Sequence, residues 1–485
     1  MRHPEPGALN RTPSAAVGDF YHLRGVELAG RCCAGLACFA ARHDSPDRWR
    51  KAGVPPPVHC LGQCYQGPAD ADHDARPAIV VHSRQGVLLS NVAAGGARDL
   101  ATYRQRGGGE ALDRARAMPP ADIVRQVQDA GLRGRGGAGF PAGIKWGAVA
   151  AEAAPVKYIV ANGDEGDPGA FSDRFLMEDD PFLLVEAMVI AALAVGGTRG
   201  VIYLRKEYPA AGVSLRGALA EARDAGWLSP QFDIELVVGH GGYVCGEETS
   251  MLNSIEGRRP EVRVRPPQIT ERGLFGAPTL VNNIETLGSI PWIVRHGADA
   301  YQHLGFSRSR GTKLLSLNSL FRNPGLYEVE FGITLRDIVD RLGGGLKRGR
   351  LLGVMVGGPL AGLVPPAELD VRLGFEEMQA IGSALGHGGV IAFGDDTSIP
   401  EIVEQVFQFG AFESCGKCVP CHAGTPRIAR LFGQVLQGER IDGEGYHALV
   451  QALGETSLCG HGRGLAEFAR SIEQHYAREL AGCFA

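Results

Sequence analysis

Three cysteines at C-x2-C-x2-C spacing, Cys415, Cys418 and Cys421, stand in the run Glu413-Ser-Cys-Gly-Lys-Cys-Val-Pro-Cys, and a fourth, Cys459, follows in Ser457-Leu-Cys-Gly. Thiolates two residues apart on a tight, glycine-containing turn can converge on one face of an iron-sulfur cubane, and a cysteine from a later loop can close the fourth iron. The fold must therefore bring two C-terminal loops onto one small cluster. Structural zinc is the lesser alternative, because it usually takes two separated C-x2-C or Cys/His pairs. Disulfides fit less well still: the start Met1-Arg-His-Pro-Glu has no apolar signal-peptide core, and nothing else implies an oxidising compartment.

The 485 residues, 44% hydrophobic and 21% charged, suffice for three or four domains. A net charge of -5 without a large basic block argues against nucleic acid as the main partner. The most apolar stretch, Phe182 to Val195, is too short to span a bilayer and contains Glu186, so it reads as a buried helix of a cytoplasmic protein. Glycine is the outlier at 69 residues, concentrated in Gly131 to Gly143 and Gly239 to Gly246, where backbone must turn tightly or approach a ligand closely.

Five segments follow from the pattern. Residues 1–95 hold five cysteines and two apolar runs, Ala78 to His82 and Gly86 to Leu89, that predict strands of a small α/β module. Residues 96–118, rich in Gly, Arg and Ala, predict a linker. Over 119–300, β-rich and helical runs alternate, which predicts an α/β domain with a largely parallel sheet and ligand loops at its strand ends. Residues 311–370 predict a small α+β insert, and residues 399–485 a helical bundle that carries the four cysteines.

The glycine loops give the α/β domain its chemistry. Gly134-Arg-Gly-Gly-Ala-Gly-Phe-Pro, with Arg135 and Lys145, suits a phosphate nest. Asn162-Gly-Asp-Glu-Gly-Asp-Pro-Gly and Gly239-His-Gly-Gly-Tyr-Val-Cys-Gly-Glu-Glu follow predicted strands and pair glycines with carboxylates, which suits a ribityl chain, ribose hydroxyls or amides. With Val281-Asn-Asn-Ile-Glu-Thr and the cysteine motif, these runs stand in the order of the 51 kDa flavoprotein family, and the chain resembles that family over roughly Ala121 to Gly464. The family comprises the NADH-oxidising subunit of respiratory complex I and the diaphorase subunits of soluble NAD-dependent formate dehydrogenases and bidirectional hydrogenases.

The resemblance implies a Rossmann-like domain with FMN held by Gly134, Arg135, Gly137, Lys145, Asn162, Asp164, Glu165, Tyr243, Gly246, Glu247, Asn282, Asn283 and Thr286. It implies NAD(H) stacked near Phe140, Asp167 and Glu248 close to the ribose or nicotinamide, and Arg265 in the adenine channel. It makes the insert ubiquitin-like (β-grasp) and assigns Cys415, Cys418, Cys421 and Cys459 to a [4Fe-4S] cluster. The chain departs from the family pattern at Ala148 and Gln268, where aromatic residues are common, and at His422, which replaces a common Arg. These changes bear on nucleotide affinity and cluster potential.

Cys33-x4-Cys38 followed by Cys60-x3-Cys64 resembles the ligand spacing of thioredoxin-like [2Fe-2S] proteins, including the 24 kDa partner of complex I, although the interval from Cys38 to Cys60 is short for that family. A fused thioredoxin-like [2Fe-2S] module is the preferred reading, with a cluster-free remnant or zinc as alternatives. Cys32, Cys245 and Cys483 read as buried or incidental thiols. Together the resemblances imply a cytoplasmic subunit passing electrons between NAD(H), FMN and iron-sulfur clusters. The acidic loop points first to the β subunit of a formate dehydrogenase, then to a hydrogenase diaphorase or a complex I subunit. Its partners would be a molybdenum, tungsten or nickel subunit with further clusters and a small [2Fe-2S] subunit. A cofactor-depleted scaffold is the alternative of another class.

Overall fold

Runs of β-branched and apolar residues, bounded by glycine and proline, set the strands. The computed structural model describes Val17 and residues 20–485, so the start Met1 to Glu5, from which a leader was argued absent, lies outside the described residues. The strands are β1 (Ala78–Val81), β2 (Tyr158–Gly163), β3 (Arg199–Leu204), β4 (Asp233–Val238), β5 (Thr279–Asn283), a ribbon of β6 (Gly305–Phe306) and β7 (Ser309–Arg310), β8 (Thr312–Leu317), β9 (Gly325–Glu330), β10 (Leu351–Val356), β11 (Leu363–Val364) and β12 (Gly389–Gly394).

The first sheet has the order β4-β3-β2-β5, with all neighbours parallel. From β2 the chain steps outward through β3 and β4, then returns to pair β5 on the other side of β2. That reversal opens a crevice at the C-terminal ends of β2 and β5, the place where open parallel sheets bind ligands. The helix Pro181–Val195 packs in the core, with Leu193 its one exposed apolar residue.

The second sheet has the order β1-β9-β8-β12-β10-β11. β8 and β9 form an antiparallel pair, β12 runs parallel to β8 and antiparallel to β10, and β11 lies outside β10. This is β-grasp topology, and its central strand β12 lies beyond residue 370. The insert therefore reaches Gly394, a correction to the expected boundary.

The N-terminal segment also departs from expectation. Among the described residues, 20–95 contain a single named strand, β1, and it pairs in parallel with β9 at the edge of the β-grasp sheet. Among the described residues, a thioredoxin-like module with its own sheet is not formed. The rest is loop with short helices such as Leu36–Ala40 and Pro46–Ala52, pinned by the isolated bridges Cys33↔Val58 and Cys32↔Asp70. The strand expected over 86–89 is absent because the amides of Val87, Leu88 and Leu89 donate to the buried Glu328 carboxylate at 2.8–3.2 Å instead of to a neighbouring strand.

Residues 96–118 are not a linker but carry the helices Leu100–Gln105 and Glu110–Arg116. The buried Glu186 carboxylate orders them, accepting from Tyr103 Oη (2.6 Å), Gly109 N (3.0 Å) and Leu112 N (2.8 Å). The C-terminal helices Ile399–Phe412, Val419–Leu436, Gly443–Thr456 and Gly460–His475 form the bundle. No helix among the described residues is long and apolar enough to cross a membrane.

Candidate functional site

The crevice is floored by the ends of β2 and β5. Asn162 donates Nδ2 to Gly246 O at 2.9 Å, which ties the first acidic loop to the glycine loop after β4. A Cβ at Gly246 would lie 3.3 Å from Asp164 O, a tight contact, so a side chain there would push the two loops apart by a few tenths of an ångström. Asn282 is held by Trp146, whose Nε1 donates to its Oδ1 at 3.0 Å, and Asn283 caps the helix Ile284–His296 by accepting from Thr286 N at 3.1 Å. Gly137, at φ +128°, lets the loop before the helix Ala142–Ala151 turn beside Gly386. Phe140 stands on that loop with 51% of its surface exposed.

A charged rim follows. Lys145 Nζ donates to Glu248 Oε2 at 2.9 Å, and Arg265 bridges Glu248 Oε1 and Glu247 Oε1, each at 2.9 Å. Burial would raise the Glu248 carboxyl, but Lys145 and Arg265 outweigh it and hold the group below its ordinary range. Tyr243 Oη donates to Asp167 Oδ1 at 2.6 Å. Burial pushes the Asp167 and Asp164 carboxyls up, Asp164 well above its ordinary value.

Two residues singled out from the sequence turn their charge inward. Arg135 is 1% exposed, and its guanidinium donates to the carbonyls of Thr312, Arg133 and Arg310 and to Tyr301 Oη at 2.6–3.1 Å. It braces the glycine loop and does not present the charge expected for a phosphate; its backbone N is held by Thr286 Oγ1 at 2.9 Å. Glu165 is fully buried and accepts from Ser172 N, Ser172 Oγ, Asp173 N, Arg174 N and Tyr208 Oη at 2.7–3.1 Å. Its carboxylate caps the helix Ser172–Asp179, where the helix dipole favours a negative charge.

The C-terminal cysteines meet at helix starts. Cys418 is the N-cap residue of Val419–Leu436, Cys421 lies in that helix's first turn, and Cys459 is the N-cap residue of Gly460–His475. Gly416 turns the first loop at φ +77°, and a Cβ at Gly462 would stand 3.4 Å from Cys421 Cβ, so the two loops are in contact. Burial lifts the Cys421 thiol to about 12, with the neighbouring thiols of Cys418, Cys459 and Cys415 adding to the effect. Such a set needs a cation cluster to hold it ionised, and the two helix N-termini suit the net negative charge of a thiolate-bound cluster.

Residues 127–292 match the Nuo51 FMN-binding domain, and residues 401–482 match the NADH-ubiquinone oxidoreductase-F iron-sulfur binding region. The NADP-reducing hydrogenase subunit HndC of Solidesulfovibrio fructosivorans is 40% identical, over 77% of this chain and 78% of that protein. An NADH-quinone oxidoreductase subunit of Escherichia coli strain K12 is 40% identical, over 78% of this chain and 88% of that protein. The chain belongs to the 51 kDa flavoprotein family. The solved structure of an NAD+-reducing [NiFe]-hydrogenase in the air-oxidised state matches 97% of this chain and 88% of its own, with a TM-score of 0.80 and 28% identity. The flavoprotein is thus an NAD(H) oxidoreductase subunit that uses FMN and a [4Fe-4S] cluster.

The flavoprotein's N-terminal cysteines also come together. Cys33, Cys38, Cys60 and Cys64 are all buried. Cys60 Sγ lies 3.8 Å from Cys64 Sγ, and the neighbouring Cys33 thiol, with burial, raises the Cys38 thiol well above its ordinary value, so the four fall into two neighbouring pairs. Cys64 beside it, helped by the Arg205 guanidinium, lowers the Cys60 thiol to about 6. Backbone amides of Gly35, Gly62 and Ala69 donate to Cys33, Cys60 and Cys38 at 3.3–3.4 Å.

Other residues of the flavoprotein site went unremarked in the sequence. His387 Nε2 stands 2.8 Å from Asp173 Oδ2 and 3.4 Å from Glu165 Oε1. Burial would lower this imidazole, but Asp173 and Glu165 outweigh burial and raise it to about 9, so the group is a buried ion pair. Its glycine neighbours, Gly386 and Gly388, were the available signal. Glu413 accepts from Tyr243 N at 2.8 Å and joins the flavin-side loop to the cluster loop, and Arg205 spans Glu165 O and Cys60 O.

Proposed function

We propose that the chain is the diaphorase subunit of a cytoplasmic NAD-linked dehydrogenase, with a second cluster at its N-terminal cysteines. The observation that carries this reading is Glu413: it fastens the Tyr243 loop of the crevice directly to the loop of Cys415, which sets a flavin and a cluster on one rigid support. FMN, when bound, supplies the conversion between hydride and single electrons that neither NAD nor an iron-sulfur cluster can perform alone.

The chain's own residues bind and orient. Gly134, Gly137, Asn162, Asp164, Tyr243, Gly246, Glu247, Asn282 and Lys145 hold the flavin, while Arg135, Glu165, Asn283 and Thr286 stiffen the loops that do so. Phe140 covers the nicotinamide, and Asp167, Glu248 and Arg265 orient the nucleotide, Glu248 acting as an ionised acceptor and not as an acid. Because the rim charges are already paired, positioning costs little reorganisation when the nucleotide arrives. Cys33 with Cys38 and Cys60 with Cys64 would each hold one iron of a [2Fe-2S] cluster, whose ligand count they match.

The Gly163-Asp-Glu-Gly-Asp-Pro-Gly form of the acidic loop supports a formate dehydrogenase with a molybdenum or tungsten subunit. A nickel hydrogenase is the second reading, favoured by the match over nearly the whole chain to the NAD+-reducing hydrogenase. Purification from its own cells with metal analysis tests both. Molybdenum or tungsten in the co-purifying subunit supports the first, nickel the second, and a colourless, iron-free preparation that leaves an artificial acceptor unreduced by NADH sinks the enzyme reading in favour of a scaffold.

A further inference from the structure

A chamber of about 20 Å³ lies where the flavin-side loops, the N-terminal segment and the C-terminal bundle meet, and His22, Cys60, Asp164, Arg205, Glu207 and Glu413 all line it. That volume admits a water molecule when polar partners surround it. They do: Asp164 Oδ2, Arg205 Nε and Glu207 Oε2 are buried and have no protein partner. The rest of Arg205 and of Glu207 is committed. Arg205 Nη2 donates to Cys60 O and to Glu207 Oε1, both at 2.8 Å, which leaves Nε and Glu207 Oε2 for the chamber. Three unpaired polar atoms around one small space mark it as a hydrated site and not a packing fault, since unpaired buried groups are rare.

The chamber has an inner and an outer end. Asp164 is at the inner end, in the flavin crevice beside Gly246. His22 is at the outer end, stacked on Phe412 with ring centroids 4.1 Å apart, 3.4 Å from Glu413 and with 25% of its side chain exposed. The groups facing Asp164 are Arg205, Glu207, Glu413 and Asp167. Those facing His22 are Glu413, Glu207 and His59. Burial favours a protonated Asp164, and Glu413 and Glu207 outweigh burial to favour a protonated His22, so both ends bind a proton more readily than the free side chains do.

We propose that this chamber is the proton exit of the flavin site, carrying the proton left by NADH oxidation from Asp164 through a chamber water to Glu207 and His22. Oxidation of NADH to NAD+ breaks one C–H bond and yields two electrons, which leave through the iron-sulfur centres, and one proton. The Asp164 Oδ2–H bond breaks as the chamber water takes its proton, and the proton from NADH re-forms it. His22, a quarter of its side chain exposed, then passes a proton to solvent, and nothing in the relay is oxidised or reduced. The inference rests on FMN lying beside Asp164, as proposed above. Glu207 and His22 are positioning and relay groups with no assigned contact to either cofactor.

The test mixes the purified holoenzyme with NADH and excess ferricyanide, following flavin absorbance and, with an indicator dye in weak buffer, proton appearance. In His22→Ala and Glu207→Gln, flavin reduction should keep its wild-type rate while proton appearance slows about a hundredfold, the low end of the range a lost proton-transfer group gives. In separate steady-state assays, imidazole should restore His22→Ala turnover. Proton release that keeps pace with flavin oxidation in both variants overturns the relay, as does a parallel slowing of flavin reduction that imidazole does not relieve. A wild-type flavin that NADH cannot reduce overturns the functional reading itself, and the relay with it.

Discussion

Glu165→Gln should loosen the flavin domain without touching the redox chemistry. Its carboxylate accepts five hydrogen bonds, three of them from the backbone amides that open the helix Ser172–Asp179. A glutamine oxygen in the Oε1 position keeps Ser172 and Asp173 satisfied. The amide NH2 must then face Arg174 N–H and Tyr208; the tyrosine can rotate to accept, but the backbone amide cannot. One buried donor left unpaired costs about 1–3 kcal/mol, and loss of the charge at the helix start adds up to about 2 kcal/mol. The sum, about 1–5 kcal/mol, corresponds to about 2–20 °C in a unit of this size. The assay is FMN fluorescence on heating, wild type and variant at one scan rate, because release from a cofactor-bound, multi-unit chain is not a two-state equilibrium. Equal release temperatures would show that the carboxylate does not carry the cap and refute the reasoning.

Other expectations follow from the same geometry. Cys418→Ser should lose about four irons per chain while NADH still bleaches the flavin, since none of the residues proposed to hold the flavin or the nucleotide is a cluster ligand. Cys60→Ser should lose about two irons with the same flavin reduction rate, and an unchanged iron count would mean that the two thiol pairs hold no cluster. His387, raised from 6.5 to about 9, contributes stability that is fully present below its unfolded value and lost as pH climbs through the folded one. The FMN release temperature should therefore fall between those values in the wild type and fall less in His387→Gln.

The parallel sheet was legible because its central strands β2 and β3 are buried on both faces and so read as apolar runs, Tyr158-Ile-Val and Val201-Ile-Tyr-Leu. The segments misread are those ordered from a distance. Residues 96–118 look like a linker by composition, and their helices depend on Glu186, far along the chain. Val87 to Leu89 alternate like a strand, yet their amides are claimed by Glu328. The last β-grasp strand escaped because its partners, β8 and β10, precede it by long loops, and pairing of that kind leaves no local mark.

The two halves of the site differ in legibility for a related reason. Metal ligation needs a fixed number of thiolates at a fixed spacing, so Cys415, Cys418, Cys421 and Cys459 declare their partnership within a few residues each, and the helix starts that carry them follow from it. A charged residue in a glycine loop declares only that a charge is needed nearby. Arg135 and Lys145 read alike in sequence, yet Arg135 is consumed by three backbone carbonyls and Tyr301, while Lys145 reaches the rim beside Glu248. Glu165 and Asp164 are neighbours with opposite orientations, one capping a helix and the other leaving an unpaired oxygen in the chamber beneath the crevice. Substitutions at the inward members should therefore act through loop stability and cofactor retention, and substitutions at the outward members through nucleotide binding and proton movement. FMN occupancy and NADH kinetics, measured on the same Arg135 and Lys145 variants, separate the two.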